Sequence, residues 1–165
     1  MKTFRKCVSL VLAIASLCWL MAWISLPGVA GMDNASNGLI QMPSQFDVAE
    51  TGDRFEALLQ ERMLTLFSRI DHAQNAASVN QQLRDTQLFI FGNPNVGTPL
   101  MQCDQTVAID LPQKVLIWQD ESDQVWLAYN DPQYLMERHQ LTGCEPVIER
   151  VSQVLNGFAV AATQG

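Results

Sequence analysis

Two places in this chain carry residue types and spacings that could do chemistry. The first is Gly92-Asn93-Pro94-Asn95-Val96-Gly97-Thr98-Pro99, directly after the apolar run Leu88–Phe91. Apolar, strand-favouring residues met by Gly, Asn and Pro read as a buried strand ending in a shaped turn. Thr98-Pro99 then reads as an N-cap followed by proline at the first helical position. Free backbone N–H groups near Gly97, with the Thr98 hydroxyl, could hold a carboxylate or phosphate. Gly92, Asn93, Gly97 and Thr98 are therefore candidates for binding a small anionic ligand. The alternative is a plain turn, in which the glycines supply positive φ and Asn93 bonds its own backbone. No Lys follows Gly97 and no G-x-G-x-x-G is present, so neither nucleotide-binding loop applies.

The second place is Asp71-His72. Histidine is the usual general base near neutral pH, which makes His72 the candidate catalytic residue. Adjacent residues of a strand point to opposite faces, so Asp71 cannot orient the His72 ring. Another carboxylate is needed, with Asp110 or Glu137 available. The alternative is that Asp71 caps a short helix and His72 lies in its first turn. His139 reads as a surface residue near a helix C-terminus. Asp110, Tyr129, Asn130 and Asp131 flank strand ends, and Asp110 and Tyr129 could line one cleft with the glycine turn. Asp131 also fits an N-cap. Trp118 and Trp126 read as cross-strand neighbours packed in a core.

The chain has four cysteines. Cys7 and Cys18 fall in the leader described below, which leaves Cys103 and Cys144. Two cysteines in an oxidising compartment usually pair, and closing so long a loop is worth about 4 kcal/mol in the chain-entropy model. Separate thiols, or a redox role, are the alternatives. Without a short Cys-x-x-Cys or His-x-x-x-His spacing, no metal site and no cofactor are expected. No G-x-S-x-G supports a serine hydrolase.

The 165 residues carry 10 Lys and Arg against 17 Asp and Glu, a net charge of −7. With no basic patch, nucleic acid is not an expected partner. The acidic balance reads as a solvated shell. Lys2, Arg5 and Lys6 precede an uncharged run, Val8 to Leu26, closed by Pro27-Gly28-Val29-Ala30-Gly31. That is the layout of a secretory signal, cleaved after Ala30 or Gly31. The run approaches the roughly 20 residues that span a bilayer, so a membrane tether through residues 8–26 is the alternative. Either way the remainder is exported, to the periplasm or beyond the cell. Gly31–Gly38 reads as a linker, and residues 39–162 as one domain.

The elements that must position these residues follow from periodicity. A first strand runs over Leu39–Val48, broken at Pro43. Thr51 caps a helix over 52–62 carrying Phe55, Leu58, Leu59 and Met63. Strands over Leu64–Asp71 and Leu88–Phe91 flank a short helix at 73–80. Pro99–Gln102 is one helical turn at most, and Thr106–Leu111 is extended. Val115–Trp118 and Val125–Tyr129 form a hairpin about Asp120–Asp123. Asp131-Pro132 starts a short helix to about His139. The last helix carries a core stripe of Val147, Val151, Val154 and Phe158, widened by Ile148 and Leu155. Five short strands and two solid helices predict an α+β two-layer sandwich. Its sheet is mixed or antiparallel, with helices on one face.

Phe89-Ile90-Phe91-Gly92-Asn93-Pro94, Gly97-Thr98-Pro99-Leu100-Met101 and Asp110-Leu111-Pro112 occur in order. Val125-Trp126-Leu127-Ala128-Tyr129-Asn130-Asp131-Pro132 follows, with Tyr134-Leu135, and Arg69-Ile70-Asp71-His72 comes before them. In this combination the chain resembles domain of unknown function family 302 over most of residues 39–160. The resemblance implies a compact α+β domain and a homodimer, and it brings no reaction. Cys103 and Cys144 are not part of the pattern. The reading is a small-ligand-binding or structural module of the cell envelope. One alternative is an enzyme using His72 as acid–base beside the Gly92–Thr98 turn. The other is an interaction protein that dimerises through a sheet edge or its last helix.

Overall fold

The computed structural model describes residues 37–165. The expected signal or tether lies outside the described residues. Strand β1 (Leu39–Pro43) stops at Pro43, whose missing N–H cannot continue a ladder. Helix α1 (Val48–Glu61) starts at Asp47, whose carboxylate accepts from the Glu50 N–H at 2.8 Å. The expected cap, Thr51, lies inside the helix and is buried; its hydroxyl is 2.7 Å from both Asp47 O and Ser44 Oγ. Asp47 takes the cap because its backbone is extended where the chain leaves β1, so Val48 belongs to the helix and not to the strand.

Strand β2 (Thr65–Asp71) leads into helix α2 (His72–Ser78), and strand β3 (Thr86–Gly92) leads into helix α3 (Pro94–Cys103). A 3-10 turn, Gln105–Ile109, precedes strand β4 (Gln113–Gln119). Strand β5 (Val125–Asn130) follows, then helix α4 (Pro132–Arg138) and helix α5 (Glu145–Thr163). As expected, Asp131 caps α4, accepting from the Gln133 N–H at 2.9 Å.

The five strands form one sheet in the order β1-β5-β4-β3-β2, and every neighbouring pair is antiparallel. Helices α1 and α5 cover one face, giving the α+β two-layer architecture read from the sequence. Phe55 of α1 sits at the centre, edge-on to Phe89, Phe91 and Phe158 at 5.5, 5.2 and 6.3 Å between ring centroids. Edge-to-face geometry sets positive ring edges against negative ring faces. Gly52 lets α1 approach closely: a methyl there would stand 2.9 Å from Phe89 Cζ. A smaller cluster of Leu100, Val107, Leu141, Cys144 and Ile148 joins α3 and the 3-10 turn to the start of α5.

Helix α5 is fixed at both ends. At its start Cys144 is disulfide-bonded to Cys103, with Cα atoms 6.5 Å apart. At its end Arg54 donates to the carbonyls of Ala161, Ala162 and Gln164 at 3.1, 3.3 and 2.8 Å. These carbonyls have no partner within the helix, and a cation satisfies them best. The buried stripe of α5 is Ile148, Val151, Leu155, Phe158 and Ala162. Val154, expected in the stripe, is 43% exposed. Among the described residues, no helix is long and apolar enough to cross a membrane.

Candidate functional site

The corner between β3 and α3 holds the residues that the sequence singled out. Asn93 has an extended backbone, and its side-chain oxygen accepts from the Asn95 N–H at 2.9 Å. It is the N-cap, and Pro94 is the first helical residue. The Val96 and Gly97 N–H groups both donate to Asn93 O, at 2.9 and 3.0 Å. The supposed turn is therefore the first turn of α3, and Thr98-Pro99 lies inside that helix, neither capping nor starting it. The backbone N–H donors expected to hold an anion near Gly97 are already bonded. Positive φ is found at Gly38 and Gly143, not at Gly92 or Gly97.

What the two glycines supply is space. A methyl on Gly92 would stand 3.6 Å from the Phe67 ring and from Pro112 Cβ, and one on Gly97 would stand 3.8 Å from Leu111 Cδ1. Between these groups lies a cavity of about 270 Å³ whose walls include Gly92, Asn93, Gly97 and Thr98, so four of the expected residues do come together. A second cavity of about 330 Å³ lies on the α5 side, against Leu64, Phe91, Val147, Arg150, Val151 and Val154. The two share Gly92, Asn93, Val96 and Gln113 as lining. Neither is lined by Asp or Glu. Both walls are mainly apolar, the usual character of small-molecule sites.

Gln113 is the polar residue of that shared wall that comes from the sheet. It pairs with Phe91 and alternates with Val115 and Ile117, so it occupies the core face of β4. Its side-chain oxygen is buried and has no hydrogen-bond partner, alone among buried side-chain polar atoms of the described residues. An unpaired buried amide oxygen costs about 1–3 kcal/mol.

The other expected residues lie elsewhere. Asp71 caps α2, accepting from the Gln74 N–H at 2.8 Å, and His72 is the first residue of that helix. This is the capping alternative read from the sequence. His72 lines neither cavity and joins no ion pair among the described residues. Asp110 gives its carboxylate to another histidine, His139, at 2.6 Å, with Arg138 at 3.4 Å. His139 is thus not a surface residue: α4 ends at it, and its ring turns in beneath the 3-10 turn, where Thr106 Oγ1 lies 3.0 Å from Nδ1. The Thr106 hydroxyl and N–H hold the Asp104 carboxyl below its ordinary range. Tyr129 is buried in the main core and lines neither cavity. Burial, then the charge of Asp131, pushes its phenol up to about 12. Trp118 and Trp126 are cross-strand partners with nearly parallel rings 6.5 Å apart, as expected, but they are not packed in the core: they alternate with Ile117 and Leu127 and so stand, partly exposed, on the other face of the sheet. Among the described residues, no group of three or more His, Cys, Asp or Glu side chains could hold a metal.

The sequence reading missed Phe67, Gln113 and Arg150. Phe67 sits where the β2–β3 register shifts and is left half-exposed beside Gly92. Gln113 was legible as a polar residue at the core parity of its strand. Arg150 was legible in an apolar helix face wider than one core contact needs.

An antiparallel two-layer domain with paired apolar cavities at one sheet corner is the class that the fold and the site define. Residues 40–158 match the model of Domain of unknown function DUF302, and the chain belongs to that family. It is 43% identical over 105 residues to proteins named fluoride-specific ion channel FluC 1 from Brucella suis and from Brucella abortus. The match takes in 64% of this chain, but 41% and 39% of those proteins. The chain thus spans about two-fifths of the length of the curated relatives it matches. It also superposes on the crystal structure of an uncharacterized conserved DUF302 protein from Bacillus stearothermophilus with a TM-score of 0.69. That match covers 77% of this chain and 98% of the other at 12% identity, and likeness at that level speaks for the fold.

Proposed function

We propose that the domain is a small-ligand-binding module of the cell envelope. Its ligand is a mostly apolar molecule that brings a hydrogen-bond donor to Gln113. The unpartnered Gln113 oxygen in the wall shared by two apolar cavities carries this reading. A ligand donor would offset the cost of leaving that oxygen dry. A place outside the cytoplasm, free or membrane-tethered, is supported by the basic and apolar order of residues 2–26.

Native mass spectrometry of the full chain purified from its own cells tests the binding reading. The expected spectrum shows added mass that leaves on denaturation. Gln113→Leu should raise the melting temperature of the ligand-free protein and lose the added mass. A clean protein mass in the wild type, or added mass that persists in the variant, overturns the assignment of Gln113 as the ligand's partner.

A second reading places the module beside a membrane protein. The likeness to proteins named as fluoride channels favours it, since this chain matches about two-fifths of their length and so resembles one part of each. Deleting this chain's gene should then lower tolerance to added fluoride. Unchanged tolerance would count against the association.

A further inference from the structure

The second cavity has a feature that its neighbour lacks. Along α5, Val147, Arg150, Val151 and Val154 fall at helical spacing and line one wall, opposite Leu64 and Phe91. Val154 is exposed and Val147 only partly buried, the two members of the apolar face that the core does not fully cover. An apolar stripe on a helix normally faces the core, so this flank is displaced toward the cavity.

Arg150 is the one cation on the walls of either cavity. Most other cations of the described residues are already engaged. Arg54 is bound to the end of α5, Arg69 to Asp53 and Glu56, Arg84 to Gln119 O, Lys114 to Asp110 O, and Arg138 to Asp110. Arg150 has no ion pair or hydrogen bond among the described residues, and no carboxylate lines the cavity to neutralise it. In a chain of net charge −7, a free guanidinium beside an apolar wall selects an anion carried on an apolar body. Planar guanidinium donors fit a carboxylate in a two-pronged geometry.

We propose that the cavity between α3 and α5 binds a medium-chain aliphatic carboxylate. The chain lies along Leu64, Phe91, Val151 and Val154, and the carboxylate meets Arg150. This rests on the ligand-binding reading above and assigns the part of that ligand held in this cavity; a carboxylate only accepts hydrogen bonds, so the donor that meets Gln113 is a separate hydroxyl on the same chain. It also returns the anion expected from the sequence, to a side-chain cation in place of the backbone N–H groups of α3.

The test is calorimetric titration of the wild-type protein and Arg150→Gln with decanoate and with decan-1-ol, each below its aggregation limit. Decanoate is expected to bind at least about tenfold more tightly than the alcohol, with a preference that shrinks as salt rises. Arg150→Gln should remove that preference and leave alcohol binding unchanged. A second variant, Val154→Asp, should abolish both by placing a charge in the apolar wall. Equal binding of the two probes by the wild type overturns the carboxylate assignment and leaves the ligand-binding reading standing. A preference that survives Arg150→Gln overturns the role of Arg150. Failure of both probes overturns this site, and the Gln113 experiment then decides the broader reading independently.

Discussion

The Nε2 of His139 and the Oδ2 of Asp110 lie 2.6 Å apart across 29 residues of sequence, with both side chains largely buried. On the other side of the ring, Thr106 gives its hydroxyl proton to Asp104 and faces Nδ1 with its oxygen. The chain Asp104–Thr106–His139–Asp110 therefore ties both ends of the 3-10 turn to the end of α4. Just beyond that turn, Leu111, Pro112 and Gln113 form part of the cavity wall. Lys114 reinforces the same corner by donating to the carbonyls of Asp110 and Pro112 at 3.0 and 3.1 Å.

His139→Ala should destabilise the domain by about 1–3 kcal/mol, because it strands the Asp110 carboxylate without its nearest partner. Asp110→Asn in the same background should cost little more, since the two side chains act as one unit. Urea denaturation of the single and double variants reads the coupling directly. Fully additive losses would show that the pair is not a unit.

The disulfide closes a loop with a sequence separation of 41. The chain-entropy model values that at about 4 kcal/mol, most of it acting on the unfolded chain. Cys103→Ser with Cys144→Ser should lower the denaturant midpoint accordingly, and reductant should change the wild type but not the variant. A wild-type midpoint unaffected by reductant would mean that the bond contributes nothing under native conditions.

Gly52→Ala tests how closely α1 rides on the sheet. The added methyl would stand 2.9 Å from Phe89 Cζ and 3.0 Å from Arg69 Nη2. Alanine favours a helix by roughly 1 kcal/mol over glycine, yet overpacking of this kind costs about 1–3 kcal/mol. The variant is expected to be less stable by thermal melting, against its helix propensity. A more stable variant would show that α1 shifts freely over Phe89.

Tyr129 gives a pH signature. Its phenol is pushed up to about 12 by burial and then by Asp131, against an ordinary value near 10. A raised folded value means that the native state holds its proton more tightly than the unfolded chain. The contribution is complete below about pH 10 and is lost as pH climbs toward about 12. Tyr129→Phe should therefore show a shallower loss of stability over that range while resembling the wild type near neutrality. Parallel alkaline profiles of the two proteins would refute this account of the phenol.

How far the sequence could be read depended on whether an interaction was local. Strand alternation and the Asp131-Pro132 cap were legible because they involve neighbours in the chain. The β3–α3 corner misled because it holds two candidate cap–proline pairs, Asn93-Pro94 and Thr98-Pro99. The pair at the strand end starts the helix, and Pro99 is carried inside α3 at the loss of one backbone bond. Hence Gly92, Asn93, Gly97 and Thr98 line one cavity, while the backbone N–H groups of Val96 and Gly97 are taken up by the first turn of α3. His139 and Asp110 meet only through the tertiary fold, and no local pattern announces it. In α5, periodicity reports how wide the apolar face is, not which edge of it meets the sheet, so Val154 was placed in the core.

The two anchors of α5 set the mechanics of its groove. A rod clamped at one end swings; a rod clamped at both can only bow. With Cys144 covalently held and the final carbonyls gripped by Arg54, the helix cannot hinge away to admit a bulky guest. In the proposed binding role, admission would fall instead to rotation of individual side chains along the groove, chiefly Val154 and Arg150. Under the binding role proposed above, such an aperture would favour slender, unbranched visitors over broad rigid ones.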